Sequence, residues 1–198
     1  VRAPLVEIKG LTVKRGGMTI LKDVNIVVEE SNPVCLIGNN GAGKTTLLLA
    51  IAKVVPAEGE MKFAGRELGQ GEVSFYVEGM EPYGHLTVND YYSLFKGLYK
   101  TGVKDIFGVY DKWKNTRFSK LSQGTKKKLL LELVISQPHK LLLIDEPFAN
   151  LDDESKEILT SYLMDEAEEN IVVLTSPSKE VVSGVCRSFY DVAVWRVY

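Results

Sequence analysis

The segment Gly38-Asn39-Asn40-Gly41-Ala42-Gly43-Lys44-Thr45 constrains this chain more than any other, because it obeys the pattern G-x-x-x-x-G-K-[ST]. Its flanks agree with it. Val34-Cys35-Leu36-Ile37 is a short apolar run that stops at Gly38, as a buried strand does, and residues 45–55 read as a helix ended by Pro56. A glycine-rich turn between strand and helix lets backbone N–H groups point inward at phosphates, and the helix adds the positive end of its dipole. Lys44 supplies a cation for the β- and γ-phosphates, and the Thr45 hydroxyl supplies a ligand for Mg²⁺. The pattern predicts that the chain binds a nucleoside triphosphate, with Gly38 through Thr46 as the contacting segment.

A second apolar run, Leu141-Leu142-Leu143-Ile144, ends in Asp145-Glu146-Pro147. An acid at the tip of a parallel strand beside a phosphate loop is where a Mg²⁺ ligand belongs, usually through water. Asp145 is assigned that role. Glu146 is then placed to orient or deprotonate a water attacking the γ-phosphate.

Strand patterns alternate with helical ones along the rest of the chain. Strands are expected at residues 5–13, 24–28, 61–63, 73–77, 140–144, 171–174 and 190–197. Helices are expected from the Thr87 cap to about residue 99, from the Ser122 cap to about 137, over 153–169 and near 179–185. Residues 101–119 are polar, glycine-punctuated and resist assignment. The alternation implies a mostly parallel sheet with a helical insertion in the middle, and no repeat or linker interrupts it.

Charge and hydropathy narrow the function. A formal net charge of -2 supplies no global basic field, so direct binding of nucleic acid is not expected. No run approaches the roughly 20 apolar residues that span a bilayer, and residues 1–10 lack the layout of a signal peptide. Contact with a membrane would therefore pass through a partner. Cys35 and Cys186 form no CxxC pair and read as small core hydrophobes, which suits a reducing cytoplasm.

Between the two nucleotide motifs lies Leu121-Ser122-Gln123-Gly124-Thr125, opening a helix. It resembles the LSGGQ signature of the ATP-binding cassette family, matching at Leu121, Ser122 and Gly124 and departing at Gln123 and Thr125. Phe148-Ala149-Asn150-Leu151-Asp152 is similar to the family's D-loop. The resemblance covers almost the whole chain. It implies one domain over 1–198: a P-loop NTPase α/β core, an N-terminal antiparallel β subdomain, and a helical subdomain inserted at about 82–137. It further implies ATP and Mg²⁺ as ligands and head-to-tail pairing with a second cassette, identical or different. Ser122 and Gly124 would then serve the nucleotide held by the opposing subunit. A transmembrane permease is the implied partner, placing the chain in the cytoplasm at the inner face of the membrane.

Several positions depart from the family. Glu78 follows the strand at 73–77 where a glutamine is usual, and it reads either as a Mg²⁺ ligand or as an exposed acid. Ser176 stands at the switch histidine's place, and its hydroxyl offers a bond to the γ-phosphate but no imidazole, implying slow hydrolysis. His85 and His139 lie elsewhere and read as surface residues. Arg15 replaces the aromatic that stacks on adenine, and either stacks its guanidinium there or is, with Lys14, simply solvated. Residues 78–86, with Met80, Pro82 and Tyr83, would line the permease groove or form an ordinary surface turn. Lys126, Lys127 and Lys128 read as a solvated helix face. The leading expectation is the motor subunit of a transporter, in a chain with no room for an appended regulatory domain. The alternatives are a soluble cassette ATPase in DNA repair or translation, and a weakly hydrolysing regulatory cassette.

Overall fold

The computed structural model describes residues 5–29 and 31–197. The first four residues of the stretch read above as lacking a signal peptide lie outside the described residues. In chain order the elements are β1 (Val6–Arg15), β2 (Met18–Val28), β3 (Val34–Ile37), α1 (Lys44–Ile51), β4 (Ala57–Phe63) and β5 (Val73–Tyr76). Then come α2 (Val88–Tyr99), α3 (Val109–Trp113), α4 (Gln123–Ser136), β6 (Leu141–Ile144), α5 (Asp153–Glu169), β7 (Ile171–Ser176), α6 (Lys179–Val182) and β8 (Ser188–Asp191).

The described strands form two sheets. β2-β1-β4 is antiparallel, with β1 at its centre burying Val6, Ile8, Leu11 and Val13 on one face. The other sheet, β5-β6-β7-β3-β8, is parallel throughout. β3 and β6 are apolar at every position because helices or the first sheet cover both faces. One apolar cluster joins the first sheet to α1 and β3; a second packs α4, α5 and Val182 of α6 against the other face. α2, α3 and Leu129 of α4 share a third, smaller cluster with Phe118 and Leu121.

Local signals explain the helix starts. Thr87 and Asp90 make a reciprocal capping box on α2, Ser122 accepts from the Thr125 amide, and Asp152 accepts from the Ser155 amide. α1 is different: Gly43 precedes it in the left-handed region at φ 101, and no side chain caps it. Its first amides are left for another acceptor.

Four expectations need correction. The last strand is not at 190–197 but at Ser188–Asp191, because the Asp191 carboxylate accepts from the Ala193 amide and turns the chain into a 3₁₀ turn, Val192–Trp195. Cys35 and Cys186 are buried as expected, yet they are bonded to each other as a disulfide between β3 and the entry to β8, with Cα atoms 5.9 Å apart. The His139 side chain is not on the surface: it is 3% exposed and lies 3.1 Å from Glu166. Lys127 is not solvated either, with 3% of its side chain exposed. Among the described residues no helix is long and apolar enough to cross a membrane.

Candidate functional site

Strand order brings the motifs together. β7 lies between β3 and β6, so the loops after all three leave the same edge of the sheet, where α/β folds place their ligands. The loop after β3 holds Lys44, whose ammonium donates to the Gly38 carbonyl at 2.7 Å and lies 3.5 Å from Glu146 Oε1. The ammonium is buried, with the Gly38 and Asn39 carbonyls and the Glu146 carboxylate about it, a socket suited to exchanging partners for a polyanion. The open amides of α1 face the same need.

Thr45 Oγ1 donates to Asp145 Oδ2 at 2.8 Å. The other carboxylate oxygen accepts from Thr175 Oγ1 at 2.5 Å, and Thr175 in turn accepts from the Glu146 amide at 2.9 Å. Thr175 is fully buried, so it fixes the Asp145 carboxylate and the start of the Glu146 turn together. Glu146 takes a left-handed conformation at φ 45, and its side chain is 27% exposed at the edge of a cavity of about 430 Å³ lined also by Phe148, Ser176 and Pro177. A carboxylate with one face bonded to the phosphate-loop lysine and another toward open space is placed to act on a water.

The donor set suits Mg²⁺. Thr45 and Asp145 offer hard oxygens at one point. Among the described residues no group of three or more His, Cys, Asp or Glu is placed to hold a metal by itself. A pair such as Thr45 and Asp145 is the small protein share of oxygen ligands that Mg²⁺ commonly takes beside a nucleotide.

The remaining expected residues lie as follows. Asn39 and Asn40 are exposed on the loop, Ala42 is buried within it and Thr46 is half-buried on α1. Gly41 accepts through its carbonyl from Arg196, which follows the last 3₁₀ turn. Ser176 ends β7 beside Ile37, is buried, and turns its hydroxyl to the Ser178 carbonyl at 2.8 Å. Arg15 is exposed at the tip of the β1–β2 hairpin, and Lys14 pairs with Glu58 at 2.8 Å. Ser122 and Gly124 open α4, Ser122 exposed and Gly124 half-buried. Glu78 is turned to Lys127, 2.8 Å away, and to the Tyr76 hydroxyl at 3.1 Å. Burial, reinforced by the neighbouring Glu78 carboxylate, pushes the Tyr76 phenol up; burial pushes the Lys127 ammonium down, against the pull of Glu78.

Three residues of this site escape a reading of the sequence. Thr175 looks like one more β-branched strand residue, and Arg196 lies in a segment that reads as strand. Lys127 had a detectable signal: it stands four, seven and eight residues before Leu131, Val134 and Ile135, on the stripe that α4 buries.

The family model described as ABC transporter matches residues 21–149. The zinc import ATP-binding protein ZnuC of Histophilus somni is 31% identical over 153 residues, 75% of this chain and 57% of that protein. The ABC transporter ATP-binding protein YtrB of Bacillus subtilis is 26% identical over 194 residues, 92% of this chain and 66% of that one. A solved structure of a putative ABC transporter ATP-binding protein from Pyrococcus furiosus superposes with a TM-score of 0.80 at 25% identity, covering 97% of this chain and 99% of its own. The chain thus spans 57% and 66% of the lengths of these two curated relatives.

Proposed function

The chain belongs to the ABC transporter family, and from that premise we propose that it is an ATP-hydrolysing cassette that drives a membrane permease. The observation that carries this reading is the single hydrogen-bonded set Thr45–Asp145–Thr175–Glu146, with Glu146 also bonded to Lys44. Loop amides from Gly38 through Thr46 and the Lys44 ammonium bind the triphosphate. Thr45 and Asp145 hold Mg²⁺, with Glu78 as a further oxygen within the proposed set. A bound Mg²⁺ would supply neutralisation of phosphate charge at that pair of oxygens. Glu146 takes a proton from the attacking water while Thr175 keeps its turn in place. Arg15 is proposed to stack on the base, and the Ser176 hydroxyl to approach the γ-phosphate once it leaves Ser178.

Ser122 and Gly124 are proposed to close on the nucleotide of a second cassette, so that ATP joins the two and hydrolysis frees them. The permease would dock beside Met80 and Tyr83, 44% and 70% exposed, which places the chain at the inner face of the membrane. The test is ATP hydrolysis and association state of wild type and Glu146→Gln with Mg²⁺ and ATP. Turnover by wild type, lost by at least about a hundredfold in a variant that binds ATP and dimerises, supports the proposal. A variant that hydrolyses ATP as fast as wild type would refute the role given to Glu146.

A further inference from the structure

Two lysines are buried among the described residues, Lys44 in the phosphate loop and Lys127 on α4. The second has no part in the function proposed above, yet its placement is specific. Its ammonium donates to Glu78 Oε2 at 2.8 Å and to the main-chain carbonyl of Glu146 at 2.7 Å. That carbonyl also accepts from the Ala149 amide at 3.2 Å, closing the turn from which the Glu146 carboxylate reaches toward Lys44. Glu78 in turn meets Asn150 Nδ2 at 3.4 Å, just past that turn.

The same helix grips the turn's exit at two more points. Gly124 packs so closely that a Cβ there would stand 3.1 Å from the Asn150 carbonyl, and Lys128 bonds the Asp152 carboxylate at 2.6 Å. α4 is therefore held to residues 146–152 by three successive contacts, one of which is a buried cation. Packing alone does not call for that cation, since a methionine would fill similar space with no charge to desolvate.

We propose that Lys127 is a positioning residue for ATP hydrolysis: it fixes the Glu146 carbonyl, and so the aim of the Glu146 carboxylate, from the helix that begins with the signature segment. A shift of α4 on closure with another cassette would then be delivered to Glu146 through this bond. The inference rests on the ATPase reading for its catalytic consequence, but its structural content stands on the chain alone.

The test compares wild type, Lys127→Met, which removes the donor to the Glu146 carbonyl, and Lys127→Arg, which keeps a cationic donor. Three quantities are measured: amide hydrogen exchange over residues 146–150 without nucleotide, kcat and KM for MgATP, and the thermal midpoint, which establishes that each variant is folded. In Lys127→Met, exchange over 146–150 is expected to rise at least about fivefold. kcat should fall at least about tenfold with KM within about threefold of wild type. Unchanged exchange and kcat in a folded Lys127→Met would overturn the proposal, as would a fall in kcat without faster exchange. Should Lys127→Met not fold, Lys127→Arg decides: exchange and kcat that move together uphold the proposal, and faster exchange with unchanged kcat rejects it. Should wild type not hydrolyse ATP, the ATPase reading fails separately. The exchange data then decide whether Lys127 holds the turn: faster exchange upholds that role, and unchanged exchange rejects it.

Discussion

Thr45 Oγ1 and Asp145 Oδ2 stand 2.8 Å apart at a sequence separation of 100. The contact exists because β3 and β6 flank β7 and end at the same edge of the sheet. It joins the two halves of the proposed metal site before any ligand is bound. Thr45→Val keeps the shape and removes the oxygen. We expect the Mg²⁺ concentration for half-maximal hydrolysis to rise about tenfold, the effect of losing roughly 1.5 kcal/mol of ligand interaction. Nucleotide affinity without Mg²⁺ should stay within about twofold. A magnesium titration at fixed ATP reads this, and an unchanged midpoint would remove Thr45 from the metal site.

Thr175 is the buried hinge of the same set, donating to Asp145 and accepting from the Glu146 amide. Thr175→Val deletes both bonds at nearly constant volume. Unfolding stability should drop by about 1–3 kcal/mol, because an amide and a carboxylate lose their buried partner. kcat should fall at least about tenfold while KM for ATP changes little. Denaturant melts and steady-state kinetics of the one variant check both halves.

Glu132 is fully buried on α4, accepting from the Phe107 amide at 2.7 Å and the Tyr92 hydroxyl at 2.8 Å. Burial, with the nearby Asp105 acting in the same direction and the two donors opposing, raises its pKa from 4.5 to about 8. The folded chain therefore holds a proton that the unfolded chain releases between pH 4.5 and about 8. Stability from this group is full below that window and falls as pH rises through it, by up to about 1.4 kcal/mol per pH unit. Glu132→Gln imitates the protonated acid. Its thermal midpoint should decline less between pH 5 and 9 than that of wild type, and an equal decline in both would contradict the assignment.

The Cys35–Cys186 disulfide closes a loop spanning a sequence separation of 151. It ties the strand that feeds the phosphate loop to the strand on its flank. Reduction, or Cys35→Ala with Cys186→Ala, should cost about 2–5 kcal/mol of stability. Guanidine melts with and without a reductant measure this, and coincident curves would mean that the bond contributes nothing.

Much of the site was legible because its chemistry is local. The loop from Gly38 to Thr45 carries its own geometry, and Asp145-Glu146 follows an apolar run that can only be a buried strand. Helix starts were equally local: α2, α4 and α5 begin after the capping residues Thr87, Ser122 and Asp152. The boundaries of α5 agree with expectation to the residue, whereas α1 stops at Ile51, short of Pro56. Residues 101–119 resisted because α3 is a single short turn of helix, sustained by packing of Val109 in the helical cluster rather than by periodicity.

The sequence by itself determined that a triphosphate-binding loop, a signature-like helix and an acid-tipped strand occur in that order, since each is written in contiguous residues. Only the tertiary structure decided which side chains converge. Thr175 against Asp145, Lys127 against Glu146 and Cys35 against Cys186 are contacts at sequence separations of 30, 19 and 151. Strand order and helix packing set them; the spacing of α4 marks Lys127 as buried, but no single segment names the partner it meets.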